Sequence, residues 1–275
     1  MMRGPLLTRP VHEQLCAARK AAPAQVNASV DLGRSVTALE IGLDAWRCDG
    51  RDYPYAQECR DRTIYHWDGA DWCPIARFGT GLIKLVPTSW GAPTFEIDGI
   101  KMLPTEQVSP YEDAGRKVAL VEPAGKHVLD CCGGLGYFAA WCLQGGASGI
   151  LSFEKNPDVC WLRELNPWSP VPDSRLQLEQ DDVALRIATL ADASFDAILH
   201  DPPRFGIAGE LYSQAFYDHL ARVLRPRGRL FHYTGTPNKL TTGRDVPNEV
   251  ARRLRHAGFR TQPAGDGVLA VKGRG

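Results

Sequence analysis

Acids recur where strands should end in this chain: Asp130, Glu154, the pair Asp181 and Asp182, and Asp201. An ionised carboxylate only accepts hydrogen bonds. Placed after a second strand, it can accept from both hydroxyls of a ribose. Placed after a third, it can accept from an adenine amino group. At the first strand turn it can receive a cationic amino group. Together these acids suit an adenosine that carries an amino-acid tail. Asp201 is preceded by His200 and followed by Pro202 and Pro203. It is the first candidate for a general base, with His200, His232 and Tyr233 as second choices at the same strand ends. Tyr111, Glu112 and Asp113 are candidates for a lid over the site, and equally for a helix start whose dipole favours acids. Tyr111, Tyr137 and Phe205 supply rings that can face a cation.

Something must hold the acids together, and residues 126–141 read as that element. An apolar strand ends at Asp130, a glycine turn follows, and an apolar helix begins near Phe138. Gly134 and Gly136 permit backbone angles closed to other residues and let a ligand approach the main chain. The helix start adds free N–H groups and a positive dipole end. Two ligand classes use such a turn. Gly134-Leu-Gly136-Tyr-Phe-Ala139 fits the G-x-G-x-x-G/A string of dinucleotide enzymes, with Glu154 downstream. Asp130-Cys-Cys132-Gly-Gly134-Leu-Gly136 fits the pattern of S-adenosylmethionine (SAM) enzymes, with Cys132 standing where the first glycine would be. The glycines alone leave both classes open.

Beyond the turn, strand and helix alternate. Strands are expected over 149–153, 175–179, 194–199 and 229–233. Helices are expected over 157–165, 183–190, 213–224 and 246–257, and 259–262 with 267–271 should close as an antiparallel pair. The alternation implies an α/β domain with a mostly parallel sheet, whose ligands bind beyond the carboxyl ends of the strands. Ahead of it, residues 35–105 read as a small antiparallel β unit, with hairpins turning at Asp68-Gly69 and Asp98-Gly99 and a loop over 44–61. Its tryptophans are best read as core. Residues 1–34 read as a flexible or helical tail, basic and alanine-rich, with the flavour of an organelle transit peptide.

Composition narrows the setting. Lysine plus arginine equal aspartate plus glutamate, 32 against 32, so no general field attracts nucleic acid, and no nucleic-acid partner is expected. The eight cysteines lack paired CxxC spacing, so a reducing compartment and no metal are expected. That points to the cytoplasm, with an organelle as the alternative if the first 30 residues are a transit peptide. No apolar run is long enough to span a membrane.

Three stretches carry a family resemblance. They are Phe95-Glu-Ile-Asp-Gly-Ile with Ser-Pro-Tyr-Glu-Asp113, then Val128-Leu-Asp-Cys-Cys-Gly-Gly-Leu-Gly136, then Phe195-Asp-Ala-Ile-Leu-His-Asp-Pro-Pro-Arg-Phe205 with the segments at 208–217 and 224–230. From about residue 94 onward the chain resembles the SAM-dependent methyltransferase superfamily of the seven-stranded Rossmann-like class I, in the branch near the spermidine synthases. The resemblance implies SAM as co-substrate, a catalytic domain over 106–275 and a seven-stranded sheet. It implies Glu154 on the ribose, Asp181 or Asp182 on the adenine, and Asp130, Cys132, Gly134, Gly136 and Tyr137 around the methionine part. Asp201 would face the acceptor and, with Pro202, also border the cofactor. Asp201-Pro202-Pro203 is also similar to the loop of amino-group methyltransferases, with Arg204 in its fourth position. The expected reaction is methyl transfer to a small-molecule or amine acceptor. The alternatives are aminopropyl or 3-amino-3-carboxypropyl transfer, and an NAD-dependent oxidoreductase. A homodimer is a further expectation.

Overall fold

Short runs that alternate apolar and polar residues build the first part of the chain into small antiparallel sheets. The elements in order are β1 (Leu6–Leu7), α1 (Arg9–Ala21), β2 (Gln25–Ala28), β3 (Thr37–Ile41), β4 (Ala45–Cys48), β5 (Arg51–Pro54), β6 (Tyr65–Trp67), β7 (Trp72–Pro74), β8 (Ala76–Phe78), β9 (Leu82–Val86), β10 (Thr94–Ile97) and β11 (Ile100–Lys101). They form sheets of order β1-β6-β7, β2-β3-β4-β5 and β11-β10-β9-β8. The computed structural model describes residues 4–79, 81–235 and 245–274. The chain divides into two units, Met1–Asp113 with Trp161–Trp168, and Ala114–Cys160 with Ser169–Gly275.

Residues 1–34, read as a flexible or helical tail, contain the helix α1, and Leu7, Leu15, Ala28 and Val30 are buried in one cluster with Leu39, Trp46, Tyr53 and Trp72. One expectation for the first unit is corrected. The loop read over 44–61 holds the hairpin β4–β5, in which Trp46 faces Tyr53 and Cys48 faces Arg51. Asp49 and Gly50 turn it with φ of 49° and 73°, the left-handed pair that a two-residue hairpin requires. Trp46 and Trp72 stack with ring centroids 6.0 Å apart, so those tryptophans fill a core.

From residue 110 onward the chain follows the alternation read from the sequence. After α2 (Pro110–Val121) come β12 (His127–Asp130), α3 (Tyr137–Gln144), β13 (Gly149–Phe153), α4 (Pro157–Leu165), β14 (Leu176–Glu179), α5 (Val183–Arg186), β15 (Phe195–His200), α6 (Gln214–Val223), β16 (Leu224–Tyr233), α7 (Val246–His256), β17 (Phe259–Ala264) and β18 (Gly267–Lys272). One seven-stranded sheet results, of order β14-β13-β12-β15-β16-β18-β17. Its first five strands are parallel and β18 runs antiparallel to both β16 and β17. The helix expected over 183–190 is shorter: α5 gives way to a 3-10 turn over Ile187–Thr189.

The helices form for local reasons. Ser213 caps α6 by accepting from the Phe216 N–H at 3.1 Å. Phe216, Leu220 and Val223 then recur at helical spacing and bury against Ile198 and Leu230 of the sheet. Each such side chain stabilises by roughly 1.5–3 kcal/mol on full burial. The sheet order turns at β12, with β13 on one side and β15 on the other. A crevice at the carboxyl ends of the strands belongs at that reversal.

Candidate functional site

The glycine turn is held by its own backbone. Gly136 N–H donates to Gly133 O at 2.7 Å, and Gly133 N–H donates to Phe153 O of β13 at 2.7 Å. Gly134 and Gly136 take φ of 50° and 81°. A Cβ at Gly134 would meet nothing within 4 Å, so its glycine is explained by the backbone angle and leaves open space before the turn. Gly136 caps α3 in this left-handed conformation. Tyr137, the first residue of α3, is buried.

Glu154 closes the next strand and reaches back to that turn. Its Oε2 accepts from Gly134 N–H at 3.0 Å, and its Oε1 accepts from Asn156 N–H at 2.8 Å. The carboxylate is therefore aimed by two backbone donors. Asp130 is fully buried at the end of β12, where its Oδ2 accepts from the Ser152 hydroxyl at 2.8 Å. Cys132 follows it. Burial, then the neighbouring Cys131, Glu154, Asp130 and Asp201, push its thiol well up, which favours the protonated form.

The third acid pair divides its work. Asp182 caps α5, accepting from Ala184 N–H at 2.8 Å, and pairs with Lys155 at 3.6 Å. Asp181 accepts from Asp182 N–H at 2.8 Å, pairs with Arg186 at 3.1 Å, and its side chain is 45% exposed. Asp181 is thus the more open of the two acids, and Asp182 the more structural.

Asp201 follows β15 and faces a lysine that the sequence reading passed over. Lys117 Nζ lies 3.6 Å from Asp201 Oδ2 and 3.6 Å from Asp266 Oδ2. The same ammonium sits 4.1 Å from the centre of the Tyr233 ring. A sequence signal for Lys117 existed: Ala114, Val118 and Val121 form a buried stripe on α2, and Lys117 falls on that stripe. Asp266 had no such signal, because it reaches the site through the turn between β17 and β18.

Two histidines are core groups. His200 and His232 are both fully buried and meet edge to face with ring centres 4.6 Å apart. His200 Nε2 lies 3.1 Å from the Leu211 carbonyl, so Nε2 carries the proton. His232 Nδ1 lies 2.7 Å from the Tyr233 carbonyl, and its Nε2 accepts from the Tyr217 hydroxyl at 2.9 Å. Burial holds His200 down to about 4 and His232 well below its usual value. His200 is therefore placed in the core beside Asp201, rather than as an open base. It also helps to set the loop: His200 binds Leu211 O, and the Tyr212 hydroxyl donates to Pro203 O at 3.0 Å. These two bonds clamp the Asp201-Pro202-Pro203 segment to the 3-10 turn over Gly209–Tyr212. Pro202 is buried under the clamp, and Phe205 is 40% exposed beyond it, edge-on to Tyr212.

Tyr111 lies in the other unit, buried against Trp168 with ring centroids 5.1 Å apart. The remaining expected residues, Asp130, Cys132, Gly134, Gly136, Tyr137, Glu154, Asp181, Asp182, Asp201 and Pro202, come to the carboxyl ends of β12–β15 and the turn that follows β12. No cluster of three or more His, Cys, Asp or Glu able to hold a metal ion occurs among the described residues. No helix among them is long and apolar enough to cross a membrane.

No protein-family model matches the chain. The uncharacterized protein MJ1233 of Methanocaldococcus jannaschii is 44% identical over 200 residues, which is 70% of this chain and 68% of that protein. Polyamine aminopropyltransferase 2 of Streptomyces coelicolor is 33% identical over 130 residues, 42% of this chain and only 24% of that protein. Among solved structures, spermidine synthase in complex with the transition state analogue AdoDATO superposes with a TM-score of 0.57 at 18% identity, covering 73% of each chain. Spermidine synthase of Thermotoga maritima gives 0.55 at 19% identity, over 73% of this chain and 72% of its own.

Proposed function

The chain belongs to the family of the Methanocaldococcus protein and carries the class I fold of the SAM-dependent methyltransferase superfamily, in the branch near the spermidine synthases, and from that premise we propose that it binds SAM and transfers the methyl group to a small-molecule acceptor. The observation that carries the reading is the aimed carboxylate of Glu154, joined to the Gly134 backbone at the point where the strand order reverses. Glu154 holds the ribose hydroxyls there. Asp181 takes the adenine amino group, since Asp182 is engaged in capping. Asp130, buried behind the turn, sets the negative field that an amino-acid tail's ammonium meets, and the open space before Gly134 admits that tail.

A methyl sulfonium is already activated, so transfer asks mainly for alignment. The clamp on Asp201-Pro202-Pro203 supplies a rigid wall for the acceptor. Asp201, with a side chain 22% exposed, accepts from the acceptor's N–H or O–H and takes its proton where one must leave.

Aminopropyl transfer is the second reading, and the Streptomyces relative favours it. Calorimetric titration with SAM, decarboxylated SAM, methylthioadenosine and NAD separates the readings. The expected result is binding of SAM in preference to the other three. A preference for decarboxylated SAM would move the assignment to aminopropyl transfer, and binding of NAD alone would overturn both.

A further inference from the structure

The buried lysine at the acceptor end is the group that the proposed reaction leaves unused. Lys117 is 5% exposed and sits on the inward stripe of α2 between Ala114 and Val121. The helix is held close to its neighbour α3: a Cβ on Gly115 would stand 2.6 Å from the Trp141 ring. That close approach fixes the part of α2 that carries Lys117. Its ammonium is met by Asp201 after β15, by Asp266 before β18, and by the face of Tyr233 at the end of β16. The Asp266 corner is fixed in turn, since Thr234 N–H donates to Asp266 O at 3.1 Å. Two carboxylates and an aromatic face around one point make a receptor for an alkylammonium ion. In this protein that point is filled by a side chain of the chain itself.

We propose that Lys117 is a specificity-determining residue: its ammonium occupies, between Asp201, Asp266 and Tyr233, the place that a cationic amine would take, so that the acceptor is an uncharged nucleophile and polyamines are refused. This inference rests on the SAM reading above. A second ammonium brought to Asp201 would stand within a few ångströms of the buried Nζ, where like charges repel. A neutral N–H or O–H meets no such penalty and still has the Asp201 carboxylate as its hydrogen-bond partner.

The test is calorimetric titration of the full chain, saturated with methylthioadenosine, with putrescine and with spermidine. The unmodified protein is expected to bind neither at millimolar concentration. Lys117→Met should gain binding of both by about tenfold or more, the effect of removing one like charge at close range. Lys117→Arg, which keeps the charge, should gain none. Lys117→Gln is the second neutral variant, should Met leave the two acids too poorly satisfied to fold. Cooperative unfolding and SAM binding within about threefold of the unmodified protein identify the usable variant. Tight diamine binding by the unmodified protein overturns the inference, and so does a folded, SAM-binding neutral variant that gains none. If the unmodified protein binds no SAM, the nucleotide reading fails first and carries this inference with it.

Discussion

At the scale of single residues, the two acids that matter most are held in different ways, and their substitutions should differ accordingly. Glu154 is aimed by the Gly134 and Asn156 N–H groups, and its role is to hold a ribose. Glu154→Ala should weaken SAM binding by roughly ten- to hundredfold, the worth of one or two hydrogen bonds to a charged group. Asp201→Ala should leave SAM affinity nearly unchanged and lower turnover by about 10²–10⁴, the usual range for a lost general base. Normal turnover in Asp201→Ala would remove Asp201 from its assigned role. The buried imidazoles give a pH dependence of stability. Burial holds His200 at about 4 against an unfolded value of 6.5. Between those values the unfolded chain binds more protons than the folded one, so stability rises with pH. The contribution is fully present above about 6.5 and is lost as pH falls toward 4, by about 3 kcal/mol for this residue. Burial shifts His232 in the same direction. Urea unfolding at pH 7, 6 and 5 measures the slope. A His200→Gln variant with an unaltered slope would show that the imidazole does not carry it.

At the scale of elements, the site depends on how helix, strand and loop are tied. The Tyr217 hydroxyl links α6 to β16 through His232, and both groups are buried. Tyr217→Phe would leave the His232 Nε2 lone pair without its partner, at a cost of about 1–3 kcal/mol. Because β16 ends at Tyr233, the change should also loosen the ring over Lys117. Thermal unfolding reads the first effect, and a stability equal to that of the unmodified protein would deny the link. Elements of this kind were partly legible in advance. The β12 strand, the glycine turn and α3 follow from apolar runs and two glycines that must take positive φ. The β4–β5 hairpin was hidden, because Arg, Asp, Tyr and Pro made its sequence look like a loop. Its inward face consists of Trp46, Cys48 and Tyr53, a pattern that counts only once a core exists to receive it.

At the scale of the whole molecule, each unit carries a core of its own. In the first, Trp46 stacks on Tyr53 and Trp72, and its indole Nε1 finds no hydrogen-bond partner among the described residues. Trp46→Ala should cost about 3–5 kcal/mol, and Trp46→Phe clearly less, since it also removes an unsatisfied donor. Equal losses in the two variants, measured by denaturant unfolding, would contradict this account of the cluster. The alternation of strand and helix, the glycine turn and the acids at successive strand ends are readable from the residues alone. Those features depend on short-range backbone preference and hydrophobic period, which neighbouring residues set among themselves. It takes the packed fold to bury His200 and His232, to engage Asp182 in a helix cap while Asp181 stays open, and to set Lys117 between Asp201 and Asp266. Those three residues of the acceptor end are far apart along the chain. They meet because β18 runs back beside β16 and brings its leading turn to the end where the parallel strands finish, a consequence of sheet order that no local pattern encodes.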